Sequence, residues 1–170
     1  MSKILLETVN LKKSFEHKNG NIELFTNVNL KIKKGDLIAL IGPSGSGKSS
    51  FLHLLALLDS PNKGKIILNN KDTKNYSEDE KDDVRRKLIS IIFQDNNLLT
   101  DFTALENVIM PLIIRGEKKS SSITKGEKIL KQVKISNRAN HFPSELSGGE
   151  QQRVAIARAL VAETDLVLAD

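Results

Sequence analysis

Two short stretches of this chain carry residue types that could do chemistry at their spacing. Residues 42–49 read Gly42-Pro43-Ser44-Gly45-Ser46-Gly47-Lys48-Ser49, with Ser50 next. They fit the phosphate-loop pattern G-x-x-x-x-G-K-[ST]. Its glycines permit backbone angles that turn successive N–H groups inward, which makes a nest for an anion. A helix opening at Lys48 would add its free N–H groups and its positive dipole end. Lys48 could then reach the outer phosphates, and the Ser49 hydroxyl could ligate magnesium, an ion that keeps several waters and takes few protein ligands. The second stretch, residues 146–153, reads Leu146-Ser147-Gly148-Gly149-Glu150-Gln151-Gln152-Arg153. Ser147 stands as a helix N-cap with Glu150 three residues on. The plain reading is an ordinary capping box with glycines beside it. Such a cap has no need of Gly148 and Gly149, which weaken the first turn. Glycines at a helix start allow close backbone approach to an anion. Two phosphate-reading helix starts are odd for one nucleotide in one chain. They make sense if the second serves a nucleotide held by another copy.

The phosphate loop alone says only "nucleotide", because small-molecule kinases, GTPases, helicases and transport ATPases share it. The bulk composition narrows little. A chain of 170 residues fits one domain with a sizeable core, and 39% hydrophobic with 28% charged residues is ordinary for a globular protein. A net charge of +5, from lysines and arginines spread along the chain, reads as a solvated surface, and no nucleic-acid partner is expected. The absence of cysteine excludes disulfide and thiolate-metal chemistry. The start, MSKILLETVN, is too polar for a signal peptide. The apolar stretches 51–58 and 108–114 fall far short of the ~18 residues that cross a bilayer. Any membrane role must come through a partner.

The elements that would hold these loops follow from periodicity. Ile4 to Phe15 reads as a strand, Asn19-Gly20 as a hairpin signal and Val28 to Ile32 as a second strand, closed by Lys34-Gly35-Asp36. Leu37 to Ile41 is wholly apolar, as in a strand buried on both faces. A helix over Lys48–Leu58, a turn at Pro61–Gly64 and a strand over Lys65–Leu68 follow. Ser77 with Glu80, and Thr103 with Glu106, have capping-box spacing. Ile89–Phe93 reads as a buried strand. Pro111 is expected to kink the helix that starts near Thr103, and Gly116–Thr124 reads as an exposed loop. A helix over Lys125–Val133, a helix after Ser147 and a buried strand over Leu166–Ala169 complete the chain. Helices alternating with apolar strands predict an α/β fold around a largely parallel sheet, led by an antiparallel β flap.

The run LSGGEQQRVAIARAL, 146–160, resembles the signature of ABC ATPases, and it follows the phosphate loop in the order that family shows. The resemblance implies a P-loop NTPase domain over residues 1–170, incomplete at its C-terminus, with a helical subdomain at about 96–146. It implies that ATP sits on residues 42–50 and that two copies pair head to tail through their nucleotide sites. Leu146, Ser147, Gly148, Gly149, Glu150 and Gln151 would then face the partner copy's ATP. Gln94, after the strand ending at Phe93, resembles the Q-loop glutamine, which touches the magnesium shell and relays occupancy to membrane subunits. Phe15 resembles the aromatic that stacks on adenine, where family members often carry Tyr; base stacking is worth about 1–3 kcal/mol. Asp170, after Leu166-Val167-Leu168-Ala169, resembles the Walker B aspartate. The family's pattern thus gives catalytic parts to Lys48, Gln94 and Asp170, magnesium contacts to Ser49, Gln94 and Asp170, and ATP and Mg2+ as cofactors.

Within that family, Asp101 to Val108, Met110-Pro111-Leu112, Arg138 to His141 and Pro143-Ser144-Glu145 resemble the ATPase subunits of bacterial lipoprotein-releasing (Lol) systems. Macrolide-export and cell-division ATPases share much of this pattern. The Lol resemblance implies a cytoplasmic homodimer, peripheral on the inner membrane beneath two transporter subunits. Asn96 to Phe102 would line the groove that receives those subunits. Family members continue past the Walker B aspartate with a catalytic glutamate, which residues 1–170 lack, so this chain alone is expected to be inactive. A non-catalytic nucleotide-binding module and a soluble ABC ATPase of DNA repair or translation are the rival readings.

Overall fold

Alternating apolar residues over Ile4–Leu11 and Ile66–Leu68 build the first sheet. In a computed structural model that describes residues 3–17 and 20–170, β1 (Ile4–His17) pairs antiparallel with β2 (Gly20–Lys33). On its other edge β1 pairs antiparallel with β3 (Lys63–Leu68), and β4 (Lys71–Asp72) completes the order β2-β1-β3-β4. Leu6, Leu11, Ile66 and Leu68 turn inward and are buried. Helix α1 (Lys48–Leu55) buries Phe51, Leu54 and Leu55. Phe51 meets Phe25 of β2 edge to face, with ring centroids 5.5 Å apart, a geometry aromatic pairs favour.

The chain divides into two compact units, residues 1–83 and 84–170, and the division falls inside α2 (Glu78–Leu88). Ser77 caps α2 as its spacing predicts: its N–H donates to Glu80 at 2.8 Å, and the Glu80 N–H donates to the Ser77 hydroxyl at 3.3 Å.

In the second unit, β5 (Ile89–Ile92) and β6 (Leu166–Ala169) form a parallel ladder from Ile89 opposite Leu166 to Ile92 opposite Ala169. Helices α3 (Ala104–Ile114), α4 (Lys119–Gln132) and α5 (Gly148–Leu160) share a core of Ala104, Val108, Leu112, Leu130, Ile135, Leu146, Val154, Ala157 and Val161. Gly126 lets α4 close on α3, since a Cβ there would lie 2.8 Å from Leu105 Cδ1. Short 3-10 turns at Ser136–Arg138 and Pro143–Glu145 lead into α5.

Three expectations change. Leu37–Ile41 is not a strand: the segment has no ladder partner among the described residues, and Leu37 and Ile41 are exposed. A buried strand needs a neighbour for its backbone, and this unit's sheet offers 37–41 none. Residues 119–124 are helical rather than loop, because the Ser122 and Thr124 hydroxyls return to the carbonyls of Lys118 and Ser120 and so do not compete with the helix. The second strand is far longer than Val28–Ile32, because β2 follows β1 along its whole length. Pro111 lies inside α3, which runs on to Ile114. Asn19 lies outside the described residues, while Gly20 sits at φ 118.

Candidate nucleotide site

The phosphate loop takes the backbone form its glycines allow. Gly45 and Gly47 sit at φ 77 and 87, a region costly for residues with a Cβ. Gly47 is the N-cap of α1. A Cβ on it would also lie 3.1 Å from Leu24 and 3.2 Å from Phe25, so the loop rests directly on β2. A Cβ on Gly42 would lie 2.8 Å from the Ser46 hydroxyl. Lys48 opens α1, and its ammonium folds back to donate to the Gly42 and Pro43 carbonyls at 2.9 and 2.8 Å. The cation is therefore held over the mouth of the loop. Ser44 is exposed, while Ser49 and Ser50 are half-buried on the first turn of the helix. Phe15 lies in the same unit, on β1 opposite Ile22, with 46% of its surface exposed.

Gln94 and Asp170 belong to the second unit and come together at one end of the parallel ladder. The Asp170 N–H donates to the Ile92 carbonyl at 2.9 Å, which extends the ladder by one bond. Gln94 follows β5 by two residues, and both side chains are exposed. They leave the carboxyl ends of neighbouring parallel strands, the side on which open α/β sheets hold ligands.

The signature stretch splits into an anchor and a free edge. Leu146 is buried in the helical core. The Gln151 amide donates to the Pro143 and Leu146 carbonyls at 2.9 and 3.2 Å. Ser147 and Glu150 form a reciprocal capping box: the Ser147 N–H and hydroxyl donate to the Glu150 carboxylate at 2.8 and 2.9 Å, and the Glu150 N–H donates back at 3.4 Å. Arg138 donates to the other Glu150 oxygen at 2.9 Å. The Ser147 N–H first, then Arg138 and the Ser147 hydroxyl, hold the Glu150 carboxyl down to about 2 from an ordinary 4.5.

Gly148 and Gly149 are exposed. A Cβ on either would meet nothing within 4 Å, and neither has a positive φ. The fold of this chain has no need of glycine at these positions, in contrast to Gly47 and Gly126.

Two residues that sequence reasoning missed fix the segment after Gln94. The Arg158 guanidinium of α5 donates to the Asn96 and Asn97 carbonyls, each at 2.6 Å, and burial pushes its pKa down. Asn96 and Asn97 sit at φ 44 and 45. Asn107 is fully buried; its amide donates to the Leu99, Phe102 and Thr103 carbonyls at 3.0, 2.9 and 3.0 Å and accepts from the Leu99 N–H at 2.7 Å. Neither belongs to a phosphate pattern. Their partners are main-chain groups, which leave no signal in the sequence.

Among the described residues no group of three or more His, Cys, Asp or Glu side chains could hold a metal. Ser49, Gln94 and Asp170 offer a hydroxyl, an amide carbonyl and a carboxylate. The first of these lies in the first unit and the other two in the second; each is an oxygen donor of the hard type that magnesium takes.

Residues 25–170 match the family described as ABC transporter. The chain is 46% identical over its full length to the lipoprotein-releasing system ATP-binding protein LolD of Colwellia psychrerythraea, and spans 66% of that relative. It is 42% identical over 98% of its length to LolD of Syntrophus aciditrophicus, and spans 74% of it. Among solved structures it is similar to MJ0796, a bacterial ABC transporter cassette solved as a dimer, with TM-score 0.93 at 39% identity over 98% of this chain and 73% of that one. The dimeric post-hydrolysis state of the same cassette, bound to ADP and Pi, gives TM-score 0.92.

Proposed function

This chain belongs to the ABC transporter family, and from that premise we propose that it is the ATP-binding, ATP-hydrolysing part of a transporter that releases lipoproteins from the bacterial inner membrane. The names of two relatives at 46% and 42% identity support the transported class. The observation that carries the mechanism is the pair of glycines at 148 and 149, open to solvent and unexplained by the chain's own packing. Glycine in a helix's first turn costs stability relative to Ala. Its use here fits close approach by a group outside the chain, and the γ-phosphate on a second copy's P-loop is such a group.

In this reading, residues 42–50 wrap the phosphates with main-chain N–H groups, and Lys48 exchanges the Gly42 and Pro43 carbonyls for β- and γ-phosphate oxygens. Phe15 stacks on adenine. Ser49, Gln94 and Asp170 hold magnesium, which when bound supplies charge neutralisation on the phosphates. Ser147, Gly148 and Gly149 close on the partner copy's ATP, with Leu146 and Gln151 anchoring the loop and Glu150 capping the helix. Residues 96–146, which contain α3 and most of the path to α5, make up the helical subdomain. Leu99 and Phe102, at 43% and 38% exposure, offer an apolar edge to the two inner-membrane subunits. The protein would sit on the cytoplasmic face of that membrane through those partners; no described helix is long and apolar enough to cross it.

The test is release of lipoproteins from spheroplasts of cells depleted of the intact protein. Wild type should restore release and Lys48→Ala should not. Normal release in depleted cells would reject the lipoprotein reading, while ATPase activity of the purified protein would still test the nucleotide chemistry separately.

A further inference from the structure

Lys13 is 7% exposed, and lysine is almost never buried without a partner. Its ammonium pairs with Asp59 at 2.6 Å and donates to the Ser60 carbonyl at 3.0 Å. It also lies 5.0 Å from the centroid of the Phe15 ring, within the range of a cation–π contact. Lys13 and Phe15 are two residues apart on β1, and the ammonium-to-ring distance puts them on one side of the strand across the register shift between Lys13 and Ser14.

The residues around Asp59 tighten the arrangement. Asn62 accepts from the Ser14 N–H through its side chain at 2.7 Å, and its own N–H donates to the Lys12 carbonyl at 3.0 Å. The loop 59–62 thus grips β1 at three consecutive residues, 12, 13 and 14. That loop follows α1 in the chain, and α1 starts at Lys48. All of these residues lie in the first unit.

We propose that Lys13 is a positioning residue for the nucleotide base: held by Asp59 and Ser60, it fixes the Phe15 ring at a set place relative to the helix that binds the phosphates. The inference rests on the reading of Phe15 as the base-stacking residue. It predicts that Lys13 governs how strongly the site prefers a nucleotide to a bare polyphosphate, and leaves the phosphate loop itself unchanged. Removing the cation releases the ring and takes away one of the three grips of the 59–62 loop on the strand. The base then stacks on a mobile surface and must order it on binding.

The experiment compares calorimetric Kd values of ATP and inorganic triphosphate, both with magnesium, on the intact protein. Lys13→Met should weaken ATP about fivefold, a part of the whole stacking contribution, and leave triphosphate within about twofold. Lys13→Arg keeps a cation over the ring and should restore the ATP preference. Phe15→Ala is the control for the underlying reading: if it leaves the ratio of the two Kd values unchanged, base stacking by Phe15 is wrong. If Phe15→Ala lowers the preference while Lys13→Met does not, the role of Lys13 alone is overturned. An arginine variant that behaves like the methionine one also overturns it. Should Lys13→Met lose triphosphate binding altogether, the decision passes to Asp59→Asn, which removes the ammonium's counter-charge without burying a new group. Its ratio should fall at least about twofold, and an unchanged ratio overturns the proposal.

Discussion

At the scale of single residues, the candidates for reading phosphate differ in kind from the residues that fix the segment after Gln94. Candidates of the first kind, Gly42 to Ser49 among them, can be named before any fold is known, because phosphate chemistry demands fixed spacing. The second kind bonds to main-chain carbonyls, which have no sequence pattern, so Asn107 and Arg158 stayed invisible. Asn107 can be tested without changing its shape. Asn107→Asp keeps the acceptor for the Leu99 N–H and removes the amide that donates to Leu99, Phe102 and Thr103. Buried acceptors that lose their donor cost full desolvation, so we expect about 2–4 kcal/mol of lost stability in urea unfolding. A change below about 0.5 kcal/mol, as at ordinary surface sites, would show that the loop is held by other contacts. Glu150 gives a pH prediction. Its carboxyl is held down to about 2 in the folded chain. A depressed carboxylate contributes stability above its unfolded pKa, and that contribution is lost as pH falls through the folded value. The stability difference between wild type and Glu150→Gln should therefore be constant at neutral pH and shrink between about pH 4.5 and about pH 2. A difference that stays flat across that window would mean that the box holds a protonated carboxyl equally well.

At the scale of elements, capping chemistry proved the most legible feature. Ser77, Thr103 and Ser147 each start a helix with the carboxylate three residues on, as their spacing requires. These bonds are local, so sequence carries them nearly whole. Segments whose state depends on distant partners were harder to read. Leu37–Ile41 has a strand's composition but lacks a ladder in its unit, and α4 starts six residues earlier than its apolar periodicity suggested, at Lys119 rather than Lys125. The first turn of α5 joins the local and the distant kind of evidence. Its cap is complete, yet it carries Gly148 and Gly149 where alanine would fit. Gly148→Ala and Gly149→Ala should each raise thermal stability, by about 0.5–1 kcal/mol per site. In the same proteins ATP-driven dimerisation, followed by size-exclusion chromatography, should weaken, while ATP binding by the dilute monomer is kept. Stabilisation with undiminished dimerisation would mean that nothing approaches this turn closely, and the glycines would have no functional account. Gly47→Ala should behave oppositely and destabilise, because its φ of 87 and its contacts with Leu24 and Phe25 leave no room.

At the scale of the whole molecule, the question is which chain supplies each half of a nucleotide site. A closed two-copy assembly is symmetric, so any contact from the signature of one copy to the P-loop of the other occurs twice. Similarity to a cassette solved as a dimer, at TM-score 0.93, makes such pairing the natural arrangement to test. The proposal places Lys48 and Gly149 of one chain in different sites. Two inactive variants of the intact protein then give a decisive mixture. Lys48→Ala removes the cation that faces the phosphates; Gly149→Asp puts a negative charge against the γ-phosphate, where screening is poor. In a homodimer of either variant both sites are damaged. In a mixed dimer both lesions fall in the same site, formed by the mutant P-loop of one copy and the mutant signature of the other. The second site is then wild type throughout. With random pairing at equal amounts, about half the dimers are mixed and about a quarter of all sites are intact. ATP trapped per dimer on ATP-driven association should recover to about that fraction, from near zero in each variant alone. If instead each chain completed its own site, a mixed dimer would carry one lesion in each site, and mixing would restore nothing. Failure to recover, with mixed dimers shown by differently tagged chains, would place the signature beside its own P-loop and end the head-to-tail proposal.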